Sequence, residues 1–211
     1  MKQSIDSLAV QVWVNIELEF DNLNKQQIES FFDKFRHDKR TLSFIEYYNR
    51  TVLDKEKIQF REFKYQWSLH FTTKFYTDFD LNYDKLIDEI WNKKNIKEFY
   101  DNYCIDNYGK RKTRQGSFCS KLFHTILPSE FPPIDTAIRN RFDLQGKEFI
   151  TSVLIIKKGY EFFIQNNQKK IKMLRNILSK NKFSYLRIKE LSDIRILDMH
   201  YWFKENREKN D

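Results

Sequence analysis

The scarcity and placement of chain breakers constrain this sequence more than any other feature. Among 211 residues there are three prolines, all between Pro128 and Pro133, and four glycines. Elsewhere the chain has little to stop a helix, so long elements joined by short polar turns are expected. The segment Gly109–Arg141 must be where the chain redirects. Apolar residues on both sides of it recur at helical spacing. Leu8, Val12, Trp13, Ile16 and Phe20 form one stripe behind a cap at Ser4 or Asp6. Asn24 with Gln27 resembles a capping box for a helix carrying Ile28, Phe31, Phe32 and Phe35. Asn95 and Ser192 read as further caps, and Lys147–Ile164 reads as one long helix. Residues 54–79 fit either period: Phe60, Phe63 and Trp67 suit a helix, whereas Tyr65, Trp67, Leu69 and Phe71 alternate as a strand would. With no partner strand evident, the helix is preferred. The fold class is all-α, in a single domain over 1–211 with room for two lobes: about 1–100 with the C-terminal helices, and 101–165.

Charge narrows the partner. The net charge of +8 favours a polyanion, with a generic solvated lysine surface as the alternative. Cys104 and Cys119 suit a reducing compartment and are too few for an iron–sulfur or Cys-rich zinc site. His37, His70, His124 and His200 show no metal-ligand spacing. No metal and no cofactor is implied. No apolar run approaches the roughly 20 residues of a membrane span, and the N-terminus lacks a leader pattern. The expectation is a cytoplasmic protein with no membrane partner.

The central stretch carries the chemistry. Lys110, Arg111, Lys112 and Arg114 lie between Gly109 and Gly116, just before a helix starting near Ser117. Backbone N–H groups at a helix N-terminus with four cations beside them suit phosphate, and a solvated basic loop is the alternative. The helix from Phe118 to Leu127 turns Phe118, Leu122 and Ile126 to one face, with Cys119 and Phe123 beside them. PSEFPPID then forms a rigid connector, and Asp135 stands where the next helix begins. Asp is a favoured N-cap, worth about 1 kcal/mol, which is the structural reading of that residue.

Ser117–Phe142 resembles the core of the helix-hairpin-helix DNA glycosylase superfamily. PIDTAIRNR, Pro133–Arg141, is similar to that family's V-D-T-H-V-x-R ending in its Asp, Thr, aliphatic and Arg positions. Counting back from Asp135, Ser117 falls where bifunctional members carry a Schiff-base lysine. The adenine-excising branch places Ser there and has an ending close to FPPID. LSDIRILDMHYWF, near the C-terminus, resembles uncharacterised bacterial relatives. The chain departs from the family where KTRQG, Lys112–Gly116, replaces L-P-G-V-G, and where Ala137 replaces a His.

The resemblance implies a DNA partner and monofunctional base excision, with Asp135 stabilising an oxocarbenium-like sugar and Ser117 precluding an imine. It adds Gly116, Lys121 and Arg139 to the basic run as nucleic-acid contacts, and it requires an aromatic platform for a flipped base, for which there are many candidates, Trp67 and Phe118 among them. Two alternatives stay open: a non-catalytic nucleic-acid-binding module in which Asp135 only caps its helix, and an interaction subunit of a defence system. A Ser117/His124/Asp135 triad can be written, but no nucleophile elbow accompanies it.

Overall fold

The computed structural model describes residues 4–22, 25–69, 78–108 and 111–207. Helix α1 spans Ile5–Asp21, α2 Lys25–Phe35 and α3 Lys39–Tyr48, which runs on into a π-turn at Asn49–Leu53. Then come α4 (Phe60–Gln66), α5 (Tyr83–Lys93) and α6 (Ile96–Tyr103). A two-stranded hairpin follows, β1 Ile105–Tyr108 against β2 Arg111–Arg114, and leads into α7 (Gly116–Ile126). After the Pro-rich connector come α8 (Thr136–Arg141), α9 (Phe149–Asn166), α10 (Gln168–Leu178), a 3₁₀ turn at Asn181–Leu186 and α11 (Asp193–Arg207). The architecture is helical, as the breaker pattern requires. The fold class is all-α, with one short two-stranded hairpin set among the helices.

The caps that local chemistry allows are made. Ser4 Oγ accepts from Ser7 N–H at 3.2 Å, Asn95 Oδ1 from Glu98 N–H at 3.2 Å, and Ser192 Oγ from Arg195 N–H at 3.1 Å. Asn24, read as a cap for α2, lies outside the described residues. Within the ambiguous segment 54–79, Phe60–Gln66 forms helix α4, while residues 70–77, with Phe71 of the alternating pattern, lie outside the described residues.

The buried side chains form one continuous core. Helix α1 lies against α9, where Gly159 lets the two backbones close: a Cβ there would stand 2.5 Å from Val12 Cγ1 and 3.0 Å from the Ala9 carbonyl oxygen. Helix α7 occupies the middle of the molecule. Its Phe118 ring meets Phe79 at 4.8 Å and Phe63 at 5.8 Å, and Phe123 meets Phe131 at 5.1 Å and Phe99 at 5.3 Å. Every residue from Phe118 to Ile126 is buried, so this helix has no solvent face beyond its first turn. Among the described residues, no helix is long and apolar enough to cross a membrane.

Candidate functional site

Burying α7 on all sides obliges its polar residues to find partners inside. Ser117, Ser120, Lys121 and His124 fall at i, i+3, i+4 and i+7 and so share a face. The connector lies over that face. Phe131 N–H bonds to the Leu127 carbonyl at 3.1 Å, Pro132 and Pro133 have no N–H to satisfy, and Ile134 N–H donates to Ser120 Oγ at 2.8 Å. Ser120 Oγ in turn donates to the Ile134 carbonyl at 3.0 Å. Prolines thus let an extended segment be buried without orphaned donors.

His124 completes the attachment. Its Nδ1 lies 2.6 Å from the Phe131 carbonyl, so that nitrogen carries the proton, and Nε2 accepts from Tyr48 Oη at 2.8 Å. Burial, with Arg195 nearby, pushes its pKa down to about 3. This neutral, doubly bonded ring is a structural bracket with no bond to Ser117, and the written triad is not assembled.

The connector delivers Asp135 to the start of α8. Its Oδ1 accepts from Ile138 N–H at 3.0 Å, the N-cap geometry. Its Oδ2 has no protein partner among the described residues, and the residue is half-buried. Ser117, also half-buried, makes no hydrogen bond to Asp135.

Of the proposed cations, two are committed inside the fold. Lys121 is 8% exposed; its Nζ donates to the Trp67 carbonyl at 3.0 Å and lies 5.7 Å from the centre of the Trp67 ring. Burial pushes its pKa below the usual lysine value, against the opposing pull of Asp135 and Asp198. Arg139 donates through Nε to Ser152 Oγ at 3.2 Å and through one guanidinium nitrogen to the carbonyls of Leu144, Gln145 and Lys147 at 3.3, 3.3 and 2.7 Å. It also stacks 4.7 Å from the Phe149 ring centre. Neither residue is the surface phosphate contact that the resemblance implied: one lies within the core, and the other holds the turn after α8. Gly116 is buried under Phe149, whose Cγ would stand 2.5 Å from an added Cβ. Trp67 and Phe118, at 5% and 0% exposure, are core residues and offer no face to a base.

The basic run itself is placed differently from expectation. Gly109 and Lys110 lie outside the described residues, while Arg111–Arg114 form β2. Its register pairs Ile105 with Arg114, Asp106 with Thr113, Asn107 with Lys112 and Tyr108 with Arg111. The Gln115 N–H closes the base of the hairpin on the Cys104 carbonyl at 2.8 Å. A paired strand commits its inward-facing amides to the ladder, so the run is a basic ribbon and not an open amide nest.

A buried charged pair in α11 is not among the candidate site residues, although its field reaches Asp135. In α11, Arg195 and Asp198 bond at 2.5 Å with side chains 4% and 2% exposed. The Arg195 guanidinium lies 4.5 Å from the Tyr48 ring centre. Desolvation pushes the Asp198 pKa up to about 7, with Arg195 opposing and Asp135 adding to the rise. Asp198 Oδ1, Arg195 Nε and Trp67 Nε1 are buried without a hydrogen-bond partner among the described residues. The only available signal was an Arg and an Asp at i, i+3 within LSDIRILDMHYWF. Among the described residues no His, Cys, Asp and Glu cluster suits a metal. Cys104 and Cys119 are buried thiols; burial, then Cys119, pushes the Cys104 pKa up. The chain has no significant match to any protein-family model, curated protein or solved structure.

Proposed function

We propose that this protein binds nucleic acid through its basic β-ribbon and that Asp135 serves its own helix. The supporting observation is that Arg111, Lys112 and Arg114 stand on one strand of a two-stranded antiparallel hairpin anchored between α6 and α7. A ribbon of this kind fits the major groove of a duplex, which is about 12 Å wide. Contacts from such cations position a protein on the phosphates with little sequence information. The +8 net charge adds long-range attraction.

Base excision is the second reading. It is favoured by the unpartnered Asp135 Oδ2 and by the positive charge of Lys121 near that carboxylate. In that case Asp135 would both cap α8 and face the sugar of an extruded nucleotide.

The test is anisotropy titration of a labelled duplex across a salt series, comparing the wild type with Arg111→Gln/Lys112→Gln/Arg114→Gln. If all three residues meet phosphates, the slope of log K against log salt falls by about 2.7, that is, about 0.9 per contact. An unchanged slope and affinity would refute the ribbon as the binding element. Assaying the same duplexes, with a panel of lesions and mismatches, for alkali-labile abasic sites separates the second reading from the first.

A further inference from the structure

Removing Lys121 and Arg139 from the surface raises the question of where the remaining positive charge gathers. In α10, Lys169, Lys172, Met173, Asn176 and Ile177 recur at i, i+3, i+4, i+7 and i+8, a single helical stripe. Lys180, just past the helix, extends it. With Lys25, the first residue of α2, this stripe lines an open groove of about 420 Å³. Ile177 is buried at its floor and Met173 is half-buried.

The charges in the groove are unequal. Lys180 is paired with Glu29, and Lys182 nearby with Asp33 at 3.5 Å. Lys25, Lys169 and Lys172 are exposed and make no hydrogen bond or ion pair among the described residues, although Lys25 stands near enough to Glu29 to share its field. Lys25 and Lys182 also act with Lys180 to lower the pKa of Glu29, which places all three around one carboxylate. A second cavity of similar size makes the contrast. Its cation, Arg175, is bound to Asp193 and to the carbonyls of Ile188 and Leu191, so it has no charge to offer an anion.

We infer that the α2/α10 groove is a second nucleic-acid contact, taking the phosphate backbone on Lys25, Lys169 and Lys172 with the Asn176 amide beside them. This rests on the nucleic-acid reading of the protein and adds a separate surface to it. Lys169 and Lys172 stand one helical turn apart, roughly 4.5 Å along the axis at 1.5 Å per residue, close to the spacing of about 3.4 Å between successive phosphates along one strand. Lysines presented as separate point charges along a groove suit successive phosphates and carry no base specificity. A bilayer fits less well. The apolar residues Ile171, Leu174, Ile177 and Leu178 of α10 are all buried in the core, leaving no apolar face to insert below the headgroups.

The experiment uses the full chain and the exposed double variant Lys169→Gln/Lys172→Gln, with the ribbon triple variant measured in parallel. The probes are a labelled duplex of random sequence, a labelled single strand and vesicles containing phosphatidylserine. On duplex, the groove variant should lower the salt slope by about 1.8, uniformly across sequences. Circular dichroism and Tm matching the wild type confirm that the fold is kept. If the wild type binds and the groove variant reproduces its affinity and slope, the groove inference falls while the ribbon reading stands. If the wild type binds neither nucleic acid, both fall. If the groove variant loses vesicle binding and keeps nucleic-acid binding, the surface belongs to a membrane and the inference is overturned.

Discussion

Replacing Asp135 in two ways separates a helix cap from a catalyst, because the two roles need different parts of the carboxylate. The cap uses one oxygen, Oδ1, as acceptor for Ile138 N–H. Asn keeps that acceptor; Ala removes it. Loss of an Asp cap to Ala typically costs about 1 kcal/mol. Both variants also lose the carboxylate's attraction to the positive end of α8, about 0.3–1 kcal/mol, and its support for the buried Lys121 ammonium. For a chain of this size 1 kcal/mol corresponds to a Tm change of about 2–4 °C. Asp135→Ala is therefore expected to melt about 2–4 °C below Asp135→Asn, read by circular dichroism. Duplex affinity should be close to wild type in the Asn variant. An Asn variant melting as low as the Ala variant would refute the cap. An Asn variant that melts above the Ala variant and binds duplex like the wild type, yet loses an abasic-site formation that the wild type shows, would establish the excision reading in its place.

Gly159→Ala should be destabilising despite the roughly 1 kcal/mol gain in helix propensity, since overpacking costs about 1–3 kcal/mol and the obstructing atoms are Val12 Cβ and the Ala9 backbone. A raised Tm by thermal denaturation would show that α1 and α9 separate without penalty. The pH dependence of stability tests the buried Asp198. Its pKa rises from 3.8 unfolded to about 7 folded, so the folded state holds the extra proton and this residue's contribution is lost as pH rises from about 4 to 7. His124, lowered from 6.5 to about 3, has the opposite sign over much of that window and masks the trend in the wild type alone. The difference in unfolding free energy between wild type and Asp198→Asn should therefore fall with rising pH, by at most about 1.4 kcal/mol per unit. A flat difference in urea titrations from pH 4 to 7 would refute the assignment.

What could be read from the sequence was local. Ser4, Asn95, Asp135 and Ser192 are caps because a short oxygen-bearing side chain precedes a periodic run, and the bonds they make reach only three residues ahead. The connector was equally legible, since two adjacent prolines dictate an extended, donor-poor segment. The hairpin was not. IDNY and RKTR lack an apolar alternation, and their pairing is held at its base by Gln115 and Cys104, flanking residues that carry no strand signal of their own.

The larger misreading concerns Lys121 and Arg139, which composition marks as surface cations. A lysine at i+4 from a polar Ser on an apolar helix ordinarily faces water. Here the connector covers that face, and both the covering segment and the Trp67 carbonyl that receives the ammonium are remote in sequence. The same segment then removes Lys121 from any direct role in nucleic-acid binding and sets it beneath Asp135 and Asp198 as an internal counter-charge. A charge moved from surface to core changes which surfaces can bind. With Lys121 and Arg139 engaged internally, the proposed binding of nucleic acid falls to the cations of the ribbon and of the α2/α10 groove. Affinity should therefore respond to substitutions at Arg111, Lys112, Arg114, Lys169 and Lys172, whereas substitutions at Lys121 and Arg139 should act chiefly on stability.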